Sequence, residues 1–212
     1  MSKNENLVVI DYDAGNLYNV GNALKHLGVA YLMSGDPDRV ARADRVILPG
    51  VGSARAAMAS LERQGLTRLI PRLTVPFLGI CLGMQVLFEE SEEDRCPCLG
   101  LLPGVVRQFD RQRVKVPHIG WNEVEWTPGD DERDEMAPLR EGLPPIHHFY
   151  FVHSYFAPLH PSATVAVTDY DGRFSSAVRK DNFLGLQFHP ERSGGPGLQL
   201  LRNFLQWDGG AA

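Results

Sequence analysis

Through the first half of the chain, short apolar runs rich in β-branched residues alternate with stretches of helical periodicity, and this alternation admits few folds. Leu7 to Ile10 reads as a buried strand ending at Asp11. Asn16 to His26 follows, with Leu17, Val20, Leu24 and Leu27 at helical spacing and Gly28 as a stop. Val29 to Met33 and Arg45 to Leu48 read as the next strands, Ala54 to Gln64 as an Ala-rich helix, Val75 to Ile80 as a strand and Leu82 to Glu90 as a helix. Strands that alternate with helices imply a parallel sheet joined by crossover connections.

The second half has a different rhythm. Val105 to Phe109, Val114 to Val116, Asn122 to Trp126, Phe149 to Phe156, Thr164 to Thr168, Ser175 to Val178 and Leu184 to Phe188 read as strands with turns between them. A last helix, Leu198 to Trp207, sets Leu198, Leu201 and Leu205 on one face. Pro128 to Glu135 is acidic and reads as a solvated loop. The expected architecture is α/β and three-layered: a mostly parallel central sheet flanked by helices, with antiparallel extensions in the C-terminal half. At 212 residues, the chain suits a single domain spanning 1–212.

The net charge of -5 gives no indication of a nucleic-acid or anionic-membrane partner, and no run approaches the length of a membrane span. The N-terminus lacks the long apolar region and cleavage site of a signal peptide. The three cysteines, Cys81, Cys96 and Cys98, do not suit a disulfide framework and fit a reducing cytoplasm. Cys96 and Cys98 flank Pro97 without two further ligands at metal spacing, so no metal and no cofactor are expected.

Gly79-Ile80-Cys81-Leu82-Gly83 lies where an apolar strand meets a helix, which is the pattern of a nucleophile elbow with Cys in place of Ser. The helix would aim its N-terminal N–H groups at the sulfur and favour thiolate. Against this stands the ordinary role of a free cysteine as a small buried hydrophobe. Far downstream, an apolar strand ends in Gln187-Phe188-His189-Pro190-Glu191. Residues two apart in extended chain share a side, so Glu191 can sit beside His189 and fix its tautomer. Spacing alone leaves His189 open between a structural and a catalytic role. Pro49-Gly50-Val51-Gly52 follows a strand and precedes a helix. It can offer backbone N–H groups to a developing oxyanion, or it can be a phosphate-binding or merely tight turn; the P-loop Gly-Lys-Ser/Thr is missing.

Taken together, Gly79 to Gln85 (GICLGMQ) and Gln187 to Glu191 (QFHPE) resemble the motifs of the class I glutamine amidotransferases, whose triad is Cys-His-Glu. Asp11 to Leu17 (DYDAGNL), Pro49 to Ser53 (PGVGS), Pro117 to Asn122 (PHIGWN) and Tyr150 to Tyr155 (YFVHSY) are similar to those members that supply ammonia to a cyclase in histidine biosynthesis. The resemblance covers nearly the whole chain. It implies Cys81 as nucleophile, His189 as general acid/base and Glu191 as its orienter. It implies an oxyanion hole from Gly50, Val51 and Gly52 with the Leu82 N–H, and a glutamine site lined by Gln85, Glu93, His153 and Ser154. Asn16 and Tyr150 match partner-facing positions. The implied partner is a separate cyclase subunit with a (β/α)8 barrel fold, forming a heterodimer, and the implied substrate is L-glutamine. Asp13 stands where the family commonly has Gly, and Ala54 and Arg55 where an aromatic is common. The rival readings are an amidotransferase subunit serving another synthase, such as that for anthranilate, a stand-alone γ-glutamyl cysteine hydrolase, and a non-catalytic module.

Overall fold

The computed structural model describes residues 6–13, 17–127 and 136–210. The first half contributes β1 (Leu7–Ile10), β2 (Leu32–Ser34), β3 (Arg45–Gly50) and β4 (Phe77–Cys81). Then come β5 (Phe88–Ser91), β6 (Cys96–Pro97), β7 (Leu102–Gln108), β8 (His118–Trp126) and β9 (Ile146–His153). The last strands are β10 (Tyr155–Phe156), β11 (Thr164–Asp169), β12 (Arg173–Lys180) and β13 (Phe183–Leu186). The helices are α1 (Leu17–His26), α2 (Pro37–Ala41), α3 (Ala54–Arg63), α4 (Leu66–Leu69), α5 (Leu82–Gln85), α6 (Ala137–Arg140) and α7 (Gly194–Gln206).

Nine strands form one sheet in the order β2-β1-β3-β4-β13-β12-β11-β8-β9. From β2 to β13 the neighbours run parallel; from β13 to β9 they run antiparallel. The antiparallel part thus equals the parallel part in extent. A smaller sheet, β10-β7-β5-β6, stands apart.

The continuous apolar runs follow from burial on both faces. Successive side chains of a strand point to opposite sides. Leu7, Val9, Ile47, Leu78, Ile80, Leu184 and Leu186 therefore pack with Val20 and Leu24 of α1 and Leu200, Leu201 and Phe204 of α7. Val8, Ile10, Val46, Leu48, Phe77 and Phe183 pack with Ala54, Ala57 and Leu61 of α3 and Val40 of α2.

Two expected elements are corrected. The helix expected over Leu82 to Glu90 lasts one turn, and Phe88–Ser91 is a strand paired with β7. Its ends, Phe88 and Ser91, are buried while Glu89 is exposed, so a pairing partner outweighed local helical propensity. Val114 to Val116 is not a strand: the Arg113 and Val114 N–H groups turn back onto the Asp110 carbonyl, and Pro117 has no N–H for a ladder. Helix α2 was not anticipated, although Asp36-Pro37 is a start signal: Asp36 Oδ1 accepts the Asp38 N–H at 2.9 Å, with Pro37 in the first turn. Asn16 and the acidic segment 128–135 lie outside the described residues.

Candidate active site

Cys81 ends β4 and begins α5 with φ 55° and ψ -107°, a backbone state that residues other than Gly rarely adopt. The turn is so tight that neither flanking glycine has room for a side chain. A Cβ on Gly79 would lie 2.4 Å from the Gly83 carbonyl oxygen, and one on Gly83 would lie 1.9 Å from that of Leu48. The strand-to-helix reversal thrusts the Cys81 side chain out at the C-terminal edge of the parallel strands, where α/β sheets bind ligands.

β13 lies parallel to β4, with Gly185 opposite Gly79 and Leu186 opposite Ile80. The chain leaving β13 therefore reaches the same edge and delivers His189 beside Cys81. His189 Nδ1 is 2.8 Å from Glu191 Oε1, and both side chains are buried. Burial pushes the imidazole down. The Cys81 charge and hydrogen bond, with the Glu191 carboxylate behind, outweigh burial and raise it to about 10. The pair thus favours imidazolium facing sulfur. The His189 N–H donates to the Tyr150 carbonyl at 2.9 Å, and the Tyr150 N–H donates to Ser193 Oγ at 3.0 Å. Tyr150 of β9 thereby braces the histidine through its backbone, while its ring lies 4.2 Å below the Arg192 guanidinium.

A cavity of about 300 Å³ opens at the sulfur, lined by Cys81 with Val51, Gly52, Leu82, Gln85, Glu93, His153 and Ser154 among others. Gly50 does not line it. Gly50 pairs with Cys81 in register and lies beneath, where a Cβ would meet the Tyr12 hydroxyl at 2.4 Å. Burial, then the charge on Cys81, raise the Tyr12 phenol and keep it neutral. Glu93 Oε2 accepts the Ala54 N–H at 2.6 Å, so it caps α3 directly after the Gly50 to Gly52 loop. Arg55 pairs with Asp94 at 3.4 Å, which gives one of the unusual positions a contact with the same hairpin.

Three further groups escaped the sequence reading. Gln187 is fully buried and its Nε2 is 3.7 Å from Cys81 Sγ. The signal was available: Gln187 stands two residues before His189 in extended chain and so shares its side. His118 Nδ1 meets His153 Nε2 at 3.0 Å, and Asn122 Nδ2 meets His118 Nε2 at 3.3 Å. Burial lowers His118 to about 4 and, with smaller contributions from its neighbours, His153 to about 3. Nothing in the sequence pairs these residues except adjacent strands, which it does not specify. Among the described residues, no cluster of three or more His, Cys, Asp or Glu side chains could hold a metal ion, and no helix is long and apolar enough to cross a membrane.

Residues 8–207 match the family model for glutamine amidotransferase class-I. A HisH subunit of imidazole glycerol phosphate synthase from Methylococcus capsulatus is 43% identical over 215 aligned residues, covering 95% of this chain and 96% of its own. A second, from Legionella pneumophila, is 44% identical over 200, covering 94% and 96%. In fold, the chain is similar to a glutamine amidotransferase crystal structure (TM-score 0.70, 20% identity, 94% of this chain and 97% of that one). It is likewise similar to a putative GMP synthase component from Thermoplasma acidophilum (TM-score 0.67, 19% identity, 95% and 93%). The chain belongs to the class I glutamine amidotransferase family and, within it, to the family of the HisH subunits.

Proposed function

We propose that this chain is the glutaminase subunit of an imidazole glycerol phosphate synthase, that its triad is Cys81, His189 and Glu191, and that residues 1–212 act as one amidotransferase domain in the cytoplasm. The HisH relatives support the assignment to histidine biosynthesis, in which the partner cyclase makes imidazole glycerol phosphate and AICAR. One observation carries the triad: His189 is held between the Glu191 carboxylate at 2.8 Å and the Cys81 sulfur.

The chemistry follows from this arrangement. Cys81 thiolate attacks the side-chain amide carbon of L-glutamine seated in the cavity. The C=O π electrons move onto oxygen, and backbone N–H groups of Leu82 and of the Gly50 to Gly52 loop stabilise the oxyanion. His189 gives its proton to the departing nitrogen, which leaves as ammonia. The glutamyl thioester that remains is opened by a water from which His189 takes a proton, and glutamate departs. Glu191 keeps the ring in one tautomer and stabilises its charged form. Gln85, Glu93 and Ser154 bind the substrate's polar groups, and His153 lines the same cavity. Ammonia passes to the (β/α)8 cyclase subunit docked on the face that includes Tyr150, without entering bulk water.

Cys81→Ala tests the reading: glutamate release should fall by at least about a thousandfold, the scale of losing a covalent nucleophile. Binding to the cyclase, followed by size-exclusion chromatography, should persist. Undiminished glutamine hydrolysis by this variant would refute the triad.

A further inference from the structure

A run of polar groups, half-buried at Asn122 and buried from His118 inward to Gln187, links strand β8 to the nucleophile, and its direction is fixed by chemistry. It begins at the Asp169 carbonyl, which can only accept, and takes a hydrogen from Asn122 Nδ2 at 3.0 Å. The same amide nitrogen lies 3.3 Å from His118 Nε2. At the far side of the histidine pair, His153 Nδ1 lies 2.7 Å from the Tyr155 carbonyl, again a pure acceptor. His153 Nδ1 therefore carries the proton, and a neutral ring leaves Nε2 as an acceptor. His118 Nδ1, 3.0 Å away, must donate to it, which leaves His118 Nε2 to accept from Asn122. Burial holds both rings neutral, as the sequence of donors requires.

The Tyr155 carbonyl takes a second hydrogen from Gln85 Nε2 at 2.8 Å. That donation fixes which end of the Gln85 amide is nitrogen. Gln85 Nε2 also lies 3.0 Å from Gln187 Oε1, so the Gln187 amide must present oxygen to Gln85 and nitrogen to Cys81 Sγ at 3.7 Å. Reversing Gln187 would set two NH2 groups against each other. Gln187 is fully buried, so water cannot substitute for it. The thiol form of Cys81 has its own acceptor, the Val152 carbonyl at 4.0 Å, which a thiolate cannot use.

We propose that Gln187 is a catalytic residue that donates a hydrogen bond to the Cys81 thiolate, and that Gln85 is the positioning residue that holds its amide donor-first, itself set by the Tyr155 carbonyl. The catalytic part rests on the glutaminase reading above. The other titratable groups facing this site are His189, Tyr12, His153 and, across the cavity, Glu93; none of them is altered in the Gln187 variant.

The test is alkylation of Cys81 by iodoacetamide in the full chain, followed on the Cys81 peptide by mass spectrometry. Gln187→Met should react about tenfold more slowly than wild type at neutral pH, the weight of one hydrogen bond to a charged acceptor. The difference should shrink as pH rises, because the hydrogen bond favours thiolate over thiol and alkali does so without it. Gln85→Met, which removes the donor that holds Gln187 Oε1, should slow the reaction in the same pH-dependent way. With glutamine, kcat of Gln187→Met should fall by a similar factor at nearly unchanged KM. Equal neutral-pH rates for Gln187→Met and wild type overturn the proposal, as does a slowing that is uniform across pH. Should Gln187→Met fail to fold, a wild-type rate for Gln85→Met overturns it. Alkylation needs no turnover, so failure of the glutaminase reading shows separately, as absent glutamine hydrolysis by wild type.

Discussion

His118 and His153 lie at the end of the histidine scale opposite to His189, and the sign of each shift sets a pH dependence. An unfolded histidine titrates near pH ~6.5. His118 and His153 are lowered to about 4 and about 3 in the folded chain, so below ~6.5 the unfolded state binds more protons. Their contribution to stability is complete above that pH and is lost as pH falls toward the folded values. His189, raised to about 10, acts in the opposite sense: its contribution is complete below ~6.5 and is lost as pH rises toward 10. Melting temperature should therefore be highest near neutrality. In His118→Asn, about half of the loss between pH 7 and 5 should disappear, because one of the two lowered groups is gone. A melting curve series across that range checks this, and an unchanged acid slope contradicts it. Of these residues the sequence made Cys81, His189 and Glu191 legible, because a glycine-flanked turn and an i, i+2 pair are local patterns. Gln187, His118 and Asn122 were not read as partners of one another, since their contacts depend on which strands lie side by side.

The elbow is an element whose geometry the sequence does declare. Gly79 and Gly83 are small because α5 turns back across β3 and β4, and a methyl on Gly83 would penetrate the Leu48 carbonyl. Gly83→Ala should cost about 3 kcal/mol or more, lowering the melting temperature by roughly 6–12 °C in a chain of this size. A differential scanning measurement that finds no change would remove the packing argument. Boundaries were less legible than existence. β2 begins at Leu32, three residues later than the apolar run from Val29, because its pairing with β1 starts at Val8 opposite Leu32. α5 stops after Gln85 because β5 finds a partner in β7, a contact that local propensity cannot foresee.

At the scale of the molecule, the parallel half of the sheet was legible from strand–helix alternation, while the full reach of the antiparallel half was not, since hairpin order leaves little mark on sequence. The edge pair β8 and β9 carries Ile119 and Trp121 largely exposed, next to Tyr150. Tyr150 presents its ring near Trp121 and its carbonyl to His189, so a partner pressing on this face acts directly on the brace of the base. On the proposed function, Tyr150→Ala should weaken cyclase binding by roughly 10- to 100-fold, as an aromatic anchor does, and should lower the glutaminase rate measured in the complex. Titration calorimetry and a coupled glutamate assay measure the two effects; wild-type values in both would remove Tyr150 from the interface. The pairing of β4 with β13 has one more consequence. Cys81 and Gln187 are separated by 106 residues, and β13 is inserted between strands already far apart in chain order. Closure across so long a loop is slow compared with hairpin formation. During synthesis Cys81 consequently emerges long before His189, and the two can meet only once nearly the whole chain has been made.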